Sequence, residues 1–413
     1  MLGQYFKILK KRNFALLWFG QIISQFGDRL TQIALVGLVS RVSDTSLSMA
    51  VVMSMAVVPV FIVSPISGVY IDRWDKRKTM YASDFIRGVF ILLIPLICMR
   101  VSSLTWVYVL IFLSFSAGRF FIPAKMAFIP NIVDSDNIFM ANSLVSITAT
   151  IAAVLGVGIG GIIVEKCGVN LAFIVDALTF FVSALAIFLI STRGPTKFKA
   201  RDIFNLGKDM VFKVKISFTT DLKEGVKYIF TSDETKYAFK IFLFLFSYIG
   251  ALYVVFIKFI QIALGSVTKD LGFTAVALGS GLFLGSLAYG RIAHRFSVKK
   301  TINAAISLSS LFLIAFVVVL SKFPLLVVAM GLSVILGGLI SPAFIGVNAL
   351  IHKESDAKLL GRIFSGLEFT SHLGFLITMF IASILADIFS PFTIILSIGI
   401  IGFFASIIFM IKK

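Results

Sequence analysis

Apolar residues run through this chain in twelve long blocks separated by short polar breaks. The blocks lie roughly at 14–40, 47–71, 78–99, 104–124, 138–164, 170–191, 237–263, 273–293, 301–320, 324–346, 361–386 and 390–411. Each reaches about 20 residues, the length an α-helix needs to cross the ~30 Å hydrocarbon core of a bilayer. None alternates apolar with polar at the period of two that a membrane barrel strand requires. Lipid offers no water to bond backbone amides and carbonyls, so an isolated span must satisfy them internally as a helix. The pattern predicts an all-α membrane protein with twelve transmembrane helices.

Composition and charge add environment and orientation. Hydrophobic residues are 59% of the 413, against roughly 45–50% in soluble domains. A single core cannot absorb that excess, whereas lipid supplies a second apolar phase. The net charge of +18 raises the question of a nucleic-acid partner. With the first segment inside, the basic residues concentrate on inward segments, from Lys7, Lys10, Lys11 and Arg12 to Lys412 and Lys413. The outward loops hold only Arg41, Arg100, Lys166, Lys269 and Lys322. This positive-inside asymmetry predicts a plasma (inner) membrane protein with both termini cytoplasmic, and it explains the basicity without a nucleic acid. The first apolar run spans fully and lacks a small-residue cleavage site, so it reads as a helix rather than a signal peptide. Cys98 and Cys167 fall near outer ends of spans, where a disulfide is conceivable and two free thiols are the plainer reading. No Cys/His spacing suggests a metal, and neither a phosphate-binding loop nor a nucleophile–base cluster points to an enzyme or a cofactor.

The one long polar stretch divides six spans from six. Residues 1–192 form an N-terminal six-helix bundle, 193–236 a cytoplasmic linker, and 237–413 a C-terminal six-helix bundle. Within the linker, Thr220–Phe230 reads as a short surface helix that Asp221 could cap. The halves repeat each other. Gly68-Val69-Tyr70-Ile71-Asp72-Arg73-Trp74-Asp75-Lys76-Arg77-Lys78 returns as Gly290-Arg291-Ile292-Ala293-His294-Arg295-Phe296-Ser297-Val298-Lys299-Lys300, and Pro123-Ala124 returns as Pro342-Ala343. Parallel repeats of this size predict two pseudo-symmetric bundles with a transport site between them.

These motifs resemble the major facilitator superfamily. Gly68, Asp72, Arg73 and Arg77 are similar to its signature between helices two and three, and Gly290 and Arg295 to the second copy. Arg119 is similar to the helix-four arginine, and Gly156-x-Gly158-x-Gly160-Gly161 to the glycine-rich antiporter motif, here without its proline. Phe26-Gly27-Asp28, Pro123-Ala124-Lys125, Ala141-Asn142-Ser143 and Gly361-Arg362-Ile363-Phe364 resemble bacterial macrolide and siderophore exporters. The first two also resemble the lysophospholipid transporter branch. The resemblance implies that Asp72 sits against the positive N-terminus of span eleven and latches the halves on the inside. The same basic residues serve equally as topology signals.

Charges within spans are costly and usually face an interior or a cavity. Asp28 lies mid-span with Gln21, Ser24, Gln25, Thr31 and Gln32, a polar stripe that should line a cavity; pairing with Arg29 or Gln32 is the structural alternative. Lys258 with Gln261 occupies the equivalent helix of the other half and could bind a zwitterion with Asp28 or snorkel outward. Glu368 and His372, four apart, share a helical face, as a proton carrier or a structural pair. Asp84 and Arg87 are expected to join Arg119 in a gating network, and Asp176 with Thr179 to make a packing contact. The reading that follows is a monomeric secondary transporter exporting an amphipathic small molecule with proton coupling. Lysophospholipid flipping is the alternative, and a channel or receptor fits the repeated signature less well.

Reporter fusions at both termini and within 200–215 are expected to read cytoplasmic. A periplasmic signal at either terminus would remove the even span count.

Overall fold

A computed structural model describes residues 2–71, 74–100, 103–191, 233–354 and 360–411. Among the described residues there are fourteen α-helices, two 3₁₀ turns and no strand. The first unit holds α1 (Leu2–Leu9), α2 (Arg12–Val42), α3 (Ser46–Ile62) from Val52 on, α4 (Ser64–Ile71), α5 (Lys76–Cys98), α6 (Thr105–Ile132), α7 (Ile138–Cys167) and α8 (Val169–Phe188). The second holds α9 (Asp233–Leu264), α10 (Lys269–Ile292), α11 (Val298–Lys322), α12 (Leu326–Glu354), α13 (Leu360–Ile388) and α14 (Pro391–Ile411). The linker helix expected at Thr220–Phe230 lies outside the described residues.

Eleven of the helical stretches are long and apolar enough to cross a membrane. The twelfth expected span is α2. Its 31 residues would extend roughly 46 Å, but Gln21, Gln25, Asp28, Arg29 and Gln32 dilute its apolar character. Span two is broken into α3 and α4 because Pro65 has no N–H for the Phe61 carbonyl and fits the first turn of a new helix. Helices α6 and α12 run on to Ile132 and Glu354, past the expected ends at 124 and 346. Apolarity stops at the lipid edge; the hydrogen-bond ladder does not.

Contacts divide the chain into Met1–Ser43 with Val52–Ser217, and Asp44–Val51 with Phe218–Lys413. The first turn of α3 groups with the second unit because the Ser46 and Leu47 amides donate to the Asp387 carboxylate, at 2.6 and 3.0 Å. A carboxylate at a helix N-terminus satisfies orphan amides and complements the helix dipole. In the first unit, Lys11 donates to Asp134, and its hydrogen bond and charge hold that exposed carboxyl below the usual carboxylate range.

The repeat is visible in the pairing of helices. In the first unit α2 packs on α7 and α8, α5 on α6 and α8, and α4 on α6. The second unit reproduces every one of these pairs at the corresponding spans: α9 on α13 and α14, α11 on α12 and α14, and α10 on α12. Buried apolar clusters also correspond. Phe14, Met80, Phe121 and Ile187 pack together in one unit, and Ile241, Ile302, Val347 and Leu367 in the other. Ile147, Ile151, Leu155 and Ile159 form an exposed stripe at four-residue spacing along α7, the face expected to meet lipid.

Inside a bilayer apolar helices gain little by leaving lipid, so close van der Waals approach through small residues drives association. The α10–α12 pair is built this way. A Cβ at Gly285 would lie 2.6 Å from the Gly338 carbonyl oxygen and 2.7 Å from its Cα. Gly285→Val should therefore push the helices apart and cost about 1–3 kcal/mol, read as a lower melting temperature of the purified protein. Gly290→Ala, where a Cβ meets nothing within 4 Å, should melt with wild type. Equal melting of the two variants would refute the packing role.

Candidate functional site

Taking a charge out of water costs several kcal/mol unless the charge is paired and hydrogen-bonded. Four ionisable side chains gathered on α2, α5 and α8 meet that requirement unequally. Arg87 of α5 donates from Nη2 to Asp28 Oδ1 of α2 at 2.5 Å, and its Nη1 stands 3.8 Å from Asp84 Oδ1. The guanidinium lies over the Phe180 ring of α8, 4.1 Å from its centroid, a cation–π contact. Asp84 is 1% exposed; its Oδ2 accepts from Ser183 Oγ of α8 at 2.6 Å. Asp84 Oδ1 and Arg87 Nε make no hydrogen bond among the described residues. Asp176, fully buried on α8, takes hydroxyls instead: Thr31 Oγ1 of α2 at 2.5 Å and Thr179 Oγ1 at 3.1 Å.

Burial is graded through this cluster. The Asp28 side chain keeps 25% of its surface exposed, Arg87 9% and Asp84 1%. One carboxylate thus stands at an opening with a cation behind it and a second carboxyl behind that. Alongside, Lys125 of α6 donates to Gln21 Oε1 of α2 at 2.8 Å, and Gln25 Nε2 reaches the same oxygen at 3.5 Å.

Glycines bring α2 into this position. A Cβ at Gly27 would collide with the Asp176 carboxylate and the Thr179 hydroxyl, and one at Gly20 would lie 3.1 Å from Ser183 Oγ. On the opposite side, Gly156 of α7 seats Arg29, with a Cβ there falling 2.8 Å from that of Arg29. The glycine-rich run of span five is thus a groove for span one.

The expected cavity residues sort into two groups. Asp28, Gln25 and Gln32 lie on α2, but Gln32 accepts from Arg29 Nη1 at 2.9 Å rather than meeting Asp28. Asp84 and Arg87, assigned by sequence to a gating set with Arg119, join Asp28; Arg119 is half-buried on α6. In the second unit Lys258 is buried within electrostatic reach of Asp44 and Asp387, and Gln261 donates to the Val267 carbonyl at 2.7 Å. Glu368 is exposed, and His372 Nδ1 bonds its backbone carbonyl at 2.7 Å rather than its carboxylate. A cavity of about 430 Å³ between α9, α13 and α14 has an apolar lining that includes Ala251, Thr378, Phe389 and Ser397, with no charge.

Of the loop signature, Gly68 lies in α4 and Arg77 donates to the Ile190 carbonyl at 2.5 Å, while Asp72 and Arg73 fall outside the described residues. Gly290 faces open space and Arg295 is exposed. Cys98 and Cys167 are free thiols. Sequence reasoning placed Gln21 and Thr31 in the polar stripe and gave Asp176 a packing contact, but assigned Lys125 and Ser183 no place in the site. The signal for Lys125 was available, since a lysine after Pro123-Ala124 inside a helix needs an acceptor.

The comparisons with known proteins agree with this architecture. A family model described as transmembrane secretion effector matches residues 4–348. The putative bacilysin exporter BacE of Bacillus subtilis is 33% identical over 178 residues, covering 43% of this chain and 44% of that protein. Another Bacillus subtilis transporter of the same superfamily is likewise matched over about half its length, 47%. Macrolide efflux protein A of Streptococcus pyogenes is 21% identical over 391 residues, 91% of this chain and 90% of that one. Among solved structures, a bacterial homologue of the iron transporter ferroportin superposes with a TM-score of 0.72 at 12% identity, covering 96% and 98% of the two chains.

Arg87→Met should leave Asp28 and Asp84 without their cation and cost about 3–5 kcal/mol, read as a marked drop in melting temperature. Adding Asp28→Asn to that variant should recover part of the loss, since it removes the stranded charge. A single variant that melts like wild type would show that the pair is not what holds these helices.

Proposed function

Because this chain belongs to the transmembrane secretion effector family of the major facilitator superfamily, we propose that it exports a cationic or zwitterionic amphipathic small molecule in exchange for protons. The observation that carries this reading is Asp28, a carboxylate at the open edge of an otherwise buried charge cluster, 25% exposed. An anionic group in a partly dry setting attracts an amine or guanidinium more strongly than one in water. Around it Gln21, Gln25 and Lys125 supply neutral donors and acceptors and a second charge. Export is supported by the two relatives named for it, an antibiotic exporter and a macrolide efflux protein.

In this reading the protein works by alternating access, as a monomer in a bacterial plasma membrane with both termini cytoplasmic. Proton coupling is assigned to the Asp28–Arg87–Asp84 cluster, because carboxyls that share one guanidinium cannot change charge independently.

The experiment is transport of a cationic macrolide by proteoliposomes, with and without a pH gradient. Wild type is expected to respond to the gradient, and Asp28→Asn to lose at least ten-fold of the gradient-driven rate. A mutant that keeps full pH dependence would remove Asp28 from coupling and make Glu368 the next candidate. Gradient-independent movement of a lysophospholipid with no macrolide transport would replace the substrate class.

A further inference from the structure

Lys125 is a cation held within the first unit with only a neutral partner. It lies half-buried on α6, one turn beyond Phe121, whose ring centroid is 5.9 Å from its Nζ. Among the described residues no carboxylate stands within ion-pair reach of it, and Asp84 is the acid whose field it feels. Its hydrogen bond goes to the Gln21 carboxamide oxygen, Oε1, at 2.8 Å. An ammonium has three N–H donors, so two are left over. Holding a charge out of water is costly unless it is paired. A neutral oxygen that Gln25 also approaches, at 3.5 Å, offsets little of that cost.

Asp28 has the complementary surplus. Its Oδ1 takes the Arg87 guanidinium, while Oδ2 accepts from no described residue. Between Lys125 and Asp28 stands Gln25. Gln21, Gln25 and Asp28 are four and three positions apart on α2, so they share one helical face. From Gln21 to Asp28 the helix rises about 10 Å. Along that face α2 presents, in order, the ammonium held at Gln21, the Gln25 carboxamide and the Asp28 carboxylate. We propose that this row binds a short peptide of about three residues, its amino terminus on Asp28 Oδ2 and its carboxylate on Lys125.

The length follows from the backbone. An extended chain advances about 3.3–3.6 Å per residue, so about three residues match the rise from Gln21 to Asp28. A carboxamide carries one acceptor and two donors, the complement of a peptide group, which sets Gln25 against the middle of the ligand. The peptide carboxylate replaces Gln21 Oε1 as the acceptor for Lys125. That exchanges a neutral partner for a charged one, and charge-assisted bonds are about twice as strong. The ligand ammonium binds Asp28 through Oδ2 and leaves Arg87 on Oδ1. The two charges of the peptide cancel, so its binding adds no net charge to the interior. A simple cation serves Asp28 alone and leaves Lys125 with its neutral partner, so the row favours the zwitterion.

The inference rests on reading Asp28 as the residue that takes the cationic group of the substrate. Its test is calorimetric binding of trialanine, trialanine amide and N-acetyl-trialanine to the purified full chain. Trialanine should bind tightest, and removing either end charge should weaken binding about ten-fold or more. In Lys125→Met, with a melting temperature showing that it is folded, the acid and the amide should bind alike. Should that variant fail to fold, a length series on wild type decides: dialanine and pentaalanine should both bind more weakly than trialanine. Equal binding of acid and amide to wild type overturns the proposal. So does a Lys125→Met variant that still prefers the acid, or an affinity indifferent to length. Tetraphenylphosphonium, a cation without a carboxylate, separates this from the underlying reading. Its binding, lost in Asp28→Asn, beside acid and amide peptides that bind alike, would keep Asp28 as a cation site and remove the peptide. The expected peptide pattern with no transport of trialanine in proteoliposomes would keep the peptide site and remove export.

Discussion

The first unit depends on one ion pair, Arg87 with Asp28. Among α2, α5 and α8 the cluster presents three carboxyls, Asp28, Asp84 and Asp176, and this single guanidinium. Water would dilute such an imbalance; a helix interior does not. Each hydroxyl nearby therefore has a defined task. Ser183 and Thr31 donate to Asp84 and Asp176, the two most buried of the three carboxyls.

That arrangement requires backbones close enough for short side chains to meet, and glycine provides the room. Gly20 and Gly27 open α2 toward α8, and Gly156 opens α7 toward α2. A helix pair in lipid gains its stability from such close contact, so the residues that pack span one also aim Asp28. Packing and function are the same constraint here, because any side chain at Gly27 would occupy the space of the Asp176 carboxylate. The second unit repeats the helix pairing without the charge cluster. Its corresponding contacts, α9 on α13 and on α14, meet through Gly250, Gly374 and Gly402.

The spans and the repeat were legible in the sequence because both are local. Hydropathy and the recurrence of Gly68 to Lys78 at Gly290 to Lys300 need no three-dimensional knowledge. Helix ends were less legible: α6 continues eight residues past its expected end at 124 to Ile132, since hydrogen bonding does not stop at the edge of lipid. The site was half legible. Asp28 stood out as an acid in a polar stripe, yet its partner is 59 positions away on another helix, and spacing alone pointed to Arg29 or Gln32. Arg87 was read with Asp84 and Arg119 as a gating network, whereas contact geometry turns Arg87 to span one. Ser183 was invisible, since a serine in an apolar helix carries no pattern until its acceptor is known.

The asymmetry between the units bears on what a transporter of this kind can couple. Among the described residues the buried ion pairs lie in one unit, while the other holds Lys258 near Asp44 and Asp387, and an apolar cavity of about 430 Å³. A guanidinium with five N–H donors can serve two carboxyls at once. Arg87 does so within helices that the glycines hold together, 2.5 Å from Asp28 and 3.8 Å from Asp84.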